Sequence, residues 1–286
     1  TMILGGDLGG TKTLLALAIG TVTHSAFAAQ TTKEETVIVK ASPANDFKPG
    51  GDRLVPAFLD GQVANGGRMG MLGQQNAMDV PFSIISYTAK LVEDQQAKTI
   101  ADVVANDAGV QSVQGYGNSA ESYRIRGLKF DGDDMTFGGL SGELPRQVVD
   151  AQMVDRIEIF KGANSLMNGA ASSGVGGMIN LEPKHAGDVP QAKVAVDYTS
   201  NSQIGTTLDA GRRFGDSDQF GARVNLVHRE GEAPVANDRR RTTLLSTGLD
   251  YQGDNFRTSV DLGYQKKSFH GSETGVNISG VDFVPE

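Results

Sequence analysis

Between residues 191 and 266 apolar and polar side chains alternate with a period of two, and no other feature restricts the possible folds of this chain as tightly. In 220–229, Phe220, Ala222, Val224 and Leu226 share one face while Arg223, Asn225 and Arg229 share the other. In 192–200, Val194, Val196 and Tyr198 oppose Lys193, Asp197 and Thr199; in 256–266, Val260, Leu262 and Tyr264 oppose Arg257, Asp261 and Gln265. Two more strands fit 204–214 and 243–252. Successive residues of a strand point to opposite sides, so each segment is an antiparallel strand with one apolar face. Tight polar turns at Gly215-Asp216-Ser217-Asp218 and Gly253-Asp254-Asn255 alternate with longer connections at 231–241 and from Ser268 onward. The apolar face needs a cover, which is either the second sheet of a soluble sandwich or lipid.

Composition removes several classes of function. The 286 residues contain no Cys, which excludes disulfides and thiolate zinc sites, and His24, His185, His228 and His270 are too dispersed for a metal cluster. A net charge of −8 disfavours nucleic acid, whose binding needs a basic surface. No apolar run of about 18 residues predicts a membrane helix, but strands of roughly 9 to 11 residues can span a bilayer and are hidden from hydropathy averaging.

The head of the chain carries two overlapping signals. Lys12, the apolar stretch 14–20 and Ala26-Phe27-Ala28 resemble a secretory signal cut near Ala28, covering 1–28. Ile3-Leu4-Gly5-Gly6-Asp7-Leu8-Gly9-Gly10-Thr11-Lys12-Thr13, within 1–16, resembles the first phosphate loop of bacterial glucokinases. A sugar kinase would also need a second phosphate loop, an adenosine-contacting segment and a sugar site, and no such segment is recognisable downstream. In 29–72, the β-branched run Glu35-Thr36-Val37-Ile38-Val39 lies in a polar stretch and is suited to adding as a strand to a partner's sheet edge. The Gly-, Pro- and Asp-rich stretch 41–73 reads as a flexible linker.

From 73 to 186 the pattern is a small α+β unit. Strands are predicted at 82–87, 122–126, 154–160 and 178–182, and a helix from the capping box at Thr99 to about 106, ended by Gly109. The ordered succession Asp79-Val80-Pro81-Phe82-Ser83, Thr99-Ile100-Ala101-Asp102-Val103-Val104, Tyr123-Arg124-Ile125-Arg126-Gly127, Val154-Asp155-Arg156-Ile157-Glu158-Ile159-Phe160-Lys161-Gly162 and Gly176-Gly177-Met178-Ile179-Asn180-Leu181-Glu182-Pro183-Lys184 resembles the plug of TonB-dependent siderophore receptors.

That resemblance implies an α+β plug followed by antiparallel strands of a transmembrane β-barrel, here incomplete, with about five strands in 187–286 against about 22 in the family. It makes Glu35, Thr36, Val37, Ile38 and Val39 the TonB box. Arg126 and Lys161 become a latch to barrel glutamates that lie in strands this chain lacks, and Asp155 stands where the family more often has Glu. The outward plug loops supply ligand contacts from Tyr116, Gly117, Asn118, Asp133, Gly142 and Glu143, while the acidic run Asp131, Asp133, Asp134 serves loop solubility. The implied activity is import of a ferric siderophore across the outer membrane of a Gram-negative bacterium, without catalysis. The partners are the TonB–ExbB–ExbD complex and outer-membrane lipid; there is no cofactor or resident metal, Fe(III)-siderophore being cargo. Haem, cobalamin or an oligosaccharide are the alternative cargoes, and a sugar kinase is the remote alternative.

Overall fold

The computed structural model describes residues 49–51, 53–58, 60–114, 118–162, 175–199, 202–233, 237–253 and 256–271. Along the chain, a small α+β plug precedes a five-stranded antiparallel wall. In the plug, β1 (Gly66–Arg68) and β2 (Gln74–Asn76) form a hairpin, and β3 (Ser83–Thr88) runs into α1 (Ala89–Gln95), followed by α2 (Ile100–Val104). Strands β4 (Val110–Ser112), β5 (Ser122–Ile125) and β6 (Leu128–Asp131) make a minor sheet. The major sheet is centred on β7 (Val154–Lys161), which pairs antiparallel with both β3 and β8 (Gly177–Pro183).

β7 is the central strand, paired on both edges, and its residues 157–160 are buried on both faces. Ile157, Ile159 and Phe160 join Ile179 and Leu181 of β8, Ile84 and Tyr87 of β3, and Ile100, Val103 and Val104 of α2 in one buried cluster. The start of α2 is the expected capping box: Asp102 N–H donates to Thr99 Oγ1 at 3.2 Å, and the Asp102 carboxylate accepts from Thr99 N at 3.0 Å. Such a cap stabilises by about 1 kcal/mol. The helix stops at Val104 rather than near 106 because the next amides turn back by three residues, Asn106 N to Val103 O and Asp107 N to Val104 O.

The expectation of a flexible linker up to residue 73 is corrected. Val55, Ala64 and Met69 are buried, Val63–Ala64 pairs with β3, and the β1–β2 hairpin packs on the major sheet. The glycines that suggested mobility serve close approach instead. A Cβ on Gly66 would lie 2.2 Å from the Gln75 carbonyl oxygen, and one on Gly67 2.9 Å from the Glu158 carboxyl carbon.

The wall comprises β9 (Gln191–Thr199), β10 (Gln203–Phe214), β11 (Phe220–Glu232), β12 (Arg239–Gln252) and β13 (Arg257–His270), each hydrogen-bonded to the next. Register aligns like with like: Val194, Leu208, Leu226, Leu245 and Tyr264 form one apolar row across all five strands. At the tight-turn end Phe220, Tyr251 and Phe256 pack with ring centroids about 5 Å apart, 5.0 and 5.1 Å. The opposite face turns its polar residues onto the plug. The connection expected at 231–241 is strand at both ends: β11 runs to Glu232 and β12 begins at Arg239, past the apolar band, where Glu230 pairs with Arg241 at 2.7 Å and Arg239 at 3.1 Å.

Candidate functional site

The seam between plug and wall is built from charged and polar side chains. Asp209 of β10 accepts from Lys184 Nζ at 2.9 Å and from Arg223 of β11 at 2.8 Å, and all three side chains are buried. Arg223 also reaches Asp155 of β7 at 3.7 Å and donates to the His185 carbonyl at 3.0 Å. Further along the same face Arg213 holds Asp250 at 2.6 Å and the Ala186 carbonyl at 3.0 Å. At the other end of the wall Gln265 of β13 accepts from Asp150 N and donates to the Val148 carbonyl, both at 2.8 Å, and Lys267 lies 3.6 Å from Asp150. Lys98, just before α2, donates to Thr199 and Gln203 across the β9–β10 turn. Wall cations thus meet plug acids at Asp155 and Asp150, and at the exposed pair Lys193–Glu93.

The five described wall strands are not those in which the resemblance places the latch glutamates; within the plug, Arg126 and Lys161 have local settings. Lys161 pairs within the plug, 2.7 Å from the buried Asp107, whose other oxygen accepts from Gly109 N at 2.7 Å. Arg126 sits at the tip of the β5–β6 hairpin, exposed, at φ 52 with Gly127 at φ 83. Two consecutive positive φ values are what a two-residue turn between twisted strands requires. Neither residue meets a glutamate of the wall among the described residues.

Of the proposed ligand contacts, Tyr116 and Gly117 lie outside the described residues, as does the TonB box 35–39. The remaining four are exposed and come from three loops. Asn118 donates to Gln114 and accepts from Ala120 N. Asp133 lies in a single turn, Gly132–Asp134, whose Gly132 N–H donates to the Glu121 carbonyl at 3.0 Å. Gly142, at φ 83, and Glu143 precede 145–148, where Gln147 bridges to Ala120 and Val148 N donates to Ser119 O. The three loops are therefore gathered by backbone bonds around 119–121 and 146–148, next to the Val148–Asp150 contact with Gln265. Asp131, by contrast, is spent on structure. Bonds from Lys129, at 2.7 Å, and Ser122, at 2.6 Å, hold its carboxyl below the usual range.

Two polar clusters in the plug gave no sequence signal. Burial pushes the Glu121 carboxyl up to about 7, with neighbouring Tyr123 and Lys267 pulling the other way. Among the described residues no hydrogen bond of ordinary geometry reaches its oxygens or the Tyr123 hydroxyl. Inside the major sheet, Glu158 of β7 and Glu182 of β8 face each other across Asn180, whose amide donates to both at 2.8 and 2.9 Å. An acidic residue in a strand pattern reads as a solvent-facing position, so only the third dimension shows these two enclosed. No group of three or more His, Asp or Glu among the described residues is arranged to hold a metal ion.

An α+β plug clasped on the polar face of an outward-apolar β-wall defines the class: the chain carries the plug and opening wall strands of a TonB-dependent receptor. Residues 76–176 match the family model of the TonB-dependent receptor plug domain. The chain is 58% identical over 260 residues to the ferrichrome receptor FcuA of Yersinia enterocolitica, covering 90% of this chain and 34% of that one. The ferrichrome outer-membrane transporter and phage receptor of Escherichia coli K12 is 24% identical over 257 residues, 88% of this chain and 33% of that one. The crystal structure of BauA, the ferric preacinetobactin receptor of Acinetobacter baumannii, superposes with a TM-score of 0.74 at 39% identity, over 78% of this chain and 33% of that one. The chain spans about a third of the length of these relatives. These relatives are named as receptors and a transporter, and the glucokinase-like start lies outside the described residues.

Proposed function

We propose that the protein imports a ferric siderophore across the outer membrane of a Gram-negative bacterium, drawing energy from TonB with its ExbB–ExbD partners. The observation that carries this reading is the polar seam. A plug held by core packing could not be shifted without exposing apolar surface, at roughly 25 cal/mol per Å². A plug held by hydrogen-bonded charges can separate from the wall while water replaces each partner. The exposed loops bearing Asn118, Asp133 and Glu143 offer the chelate a polar, adaptable surface, and the apolar outer rows of the wall suit bilayer lipid.

Tension then enters through Glu35–Val39 and reaches the plug from its N-terminal side. Ferrichrome is the first ligand to test, because the Yersinia relative is named as its receptor. In an iron-starved host lacking its own ferrichrome receptor, the intact gene product is expected to accumulate radio-iron from ferrichrome. Deleting residues 35–39 should abolish accumulation while leaving surface binding intact. Uptake at an undiminished rate after the deletion would sink the TonB-driven mechanism; uptake of haem or cobalamin but of no ferric chelate would sink the cargo.

A further inference from the structure

The β1–β2 hairpin, Gly66–Asn76, follows the short ladder of Ala57–Phe58 with Val63–Ala64 on the edge of β3, so tension from the N-terminal side reaches it once that ladder has peeled away, and polar groups supply most of its hold on the major sheet. Arg68 donates its backbone N–H to Glu158 at 2.9 Å and its Nε to Glu182 at 2.5 Å. Gln74 Nε2 reaches Glu158 at 3.2 Å and Glu182 at 3.4 Å, and the Ser86 hydroxyl donates to the Gly66 carbonyl. Met69 is the buried apolar side chain of the loop between the strands; the strands themselves contribute Gly, Arg, Gln and Asn.

We infer that this hairpin is a detachable strap, clasped by the buried Glu158–Glu182 carboxylate pair, and that it leaves the plug before the apolar core of β7 and β8 is disturbed. The inference rests on the import reading for the source of the tension, not for the clasp itself. A displacement of an ångström or two breaks hydrogen bonds to a buried carboxylate, and water then replaces each donor, whereas opening the apolar core exposes surface at roughly 25 cal/mol per Å². Once the hairpin lifts, water reaches both acids.

That exposure makes the clasp sensitive to protons. Burial first, and the Glu182 charge second, push the Glu158 carboxyl up to about 7. The charged groups facing Glu158 are Glu182 on β8 and Arg68 on β1; Gln74, Asn180 and Thr136 complete the enclosure as neutral groups. A lifted hairpin returns Glu158 to an ordinary carboxylate, so the closed state binds more protons than the open one. Closure is then firm in acid and weakens as pH rises from the ordinary carboxylate range through about 7.

Hydrogen exchange of the intact receptor in bilayers, without siderophore or TonB, tests the strap independently of transport. Between about pH 6 and about pH 8.5, after correction for intrinsic exchange chemistry, the opening constant for 66–76 should rise about tenfold. Protection of β7 and β8 should exceed that of 66–76 at both values. Glu158→Gln, which mimics the protonated acid, should remove the pH dependence. Protection of 66–76 equal to that of β7, or opening of 66–76 that ignores pH in the native protein, would overturn the inference. If Glu158→Gln does not assemble, the native comparison at the two pH values decides alone.

Discussion

At the scale of single residues, the plug carries ionisable groups where a strand pattern predicts ordinary positions, and Glu121 is the clearest case. Its carboxyl is buried without a hydrogen bond of ordinary geometry among the described residues and raised to about 7 by that burial. The native plug therefore holds a proton that the unfolded chain releases above about 4.5, and stability must fall as pH rises across that interval. Glu121→Gln removes the titration while keeping the shape. We expect the variant to match the native protein near pH 4 and to exceed it by roughly 3 kcal/mol above pH 7, from about 1.4 kcal/mol per pH unit. Urea unfolding of the plug in the intact receptor across this range measures the difference, and a difference that does not grow with pH would contradict the buried proton. Asp107 makes the opposite case, because its partner is present. Asp107→Ala strands the half-buried Lys161 and should destabilise the plug by roughly 3 kcal/mol in the same assay, with no restoring effect of acid.

At the scale of elements, the wall was legible and parts of the plug were not. All five wall strands follow from alternation, because burial on one face alone forces a period of two and a one-residue slip would turn Leu226 and its row inward. The strands overrun their predicted ends at 231–241, where charged cross-strand pairs such as Glu230 with Arg241 replace apolar contacts and hide the continuation. Helix α1 was missed because only Leu91 and Val92 are buried and Thr88 makes no side-chain cap; β3 and the sheet hold it, not its own periodicity. Strand β1 lies in the stretch that reads as linker, because a glycine chosen for contact and one chosen for mobility look alike in a sequence. The lipid-facing row yields a prediction of its own. Leu226→Arg, at the centre of the row, should cost roughly 2–4 kcal/mol in assembly into bilayers, whereas a charge at Ser246, on the face toward the plug, should disturb the plug contact and spare insertion. Equal insertion defects in both variants would mean that the two faces are assigned the wrong way round.

For the whole molecule, the question is how a plug can be held firmly and still be movable. The resemblance implies cations on the plug meeting carboxylates on the barrel; across the described seam both polarities occur, with Lys184 of the plug on Asp209 of the wall, and Arg223 and Lys267 of the wall on Asp155 and Asp150 of the plug. These contacts differ in depth, so they should differ in strength. Arg223 is almost wholly enclosed with Asp209, Lys184 and Asp155, a set of two cations and two carboxylates, so its removal leaves one carboxylate in excess; Lys193 and Glu93 are largely in water and screened. Arg223→Ala should lower the urea resistance of the plug in the assembled receptor by roughly 3 kcal/mol. Lys193→Ala should change it by less than about 1 kcal/mol. Raising salt should erase the small effect and leave the large one, since the Debye length acts on exposed charges first. If instead both substitutions weaken the plug equally and salt abolishes both, the seam is a loose electrostatic cushion, and resistance to pulling must reside inside the plug, at the Glu158–Glu182 clasp and the apolar sheet behind it.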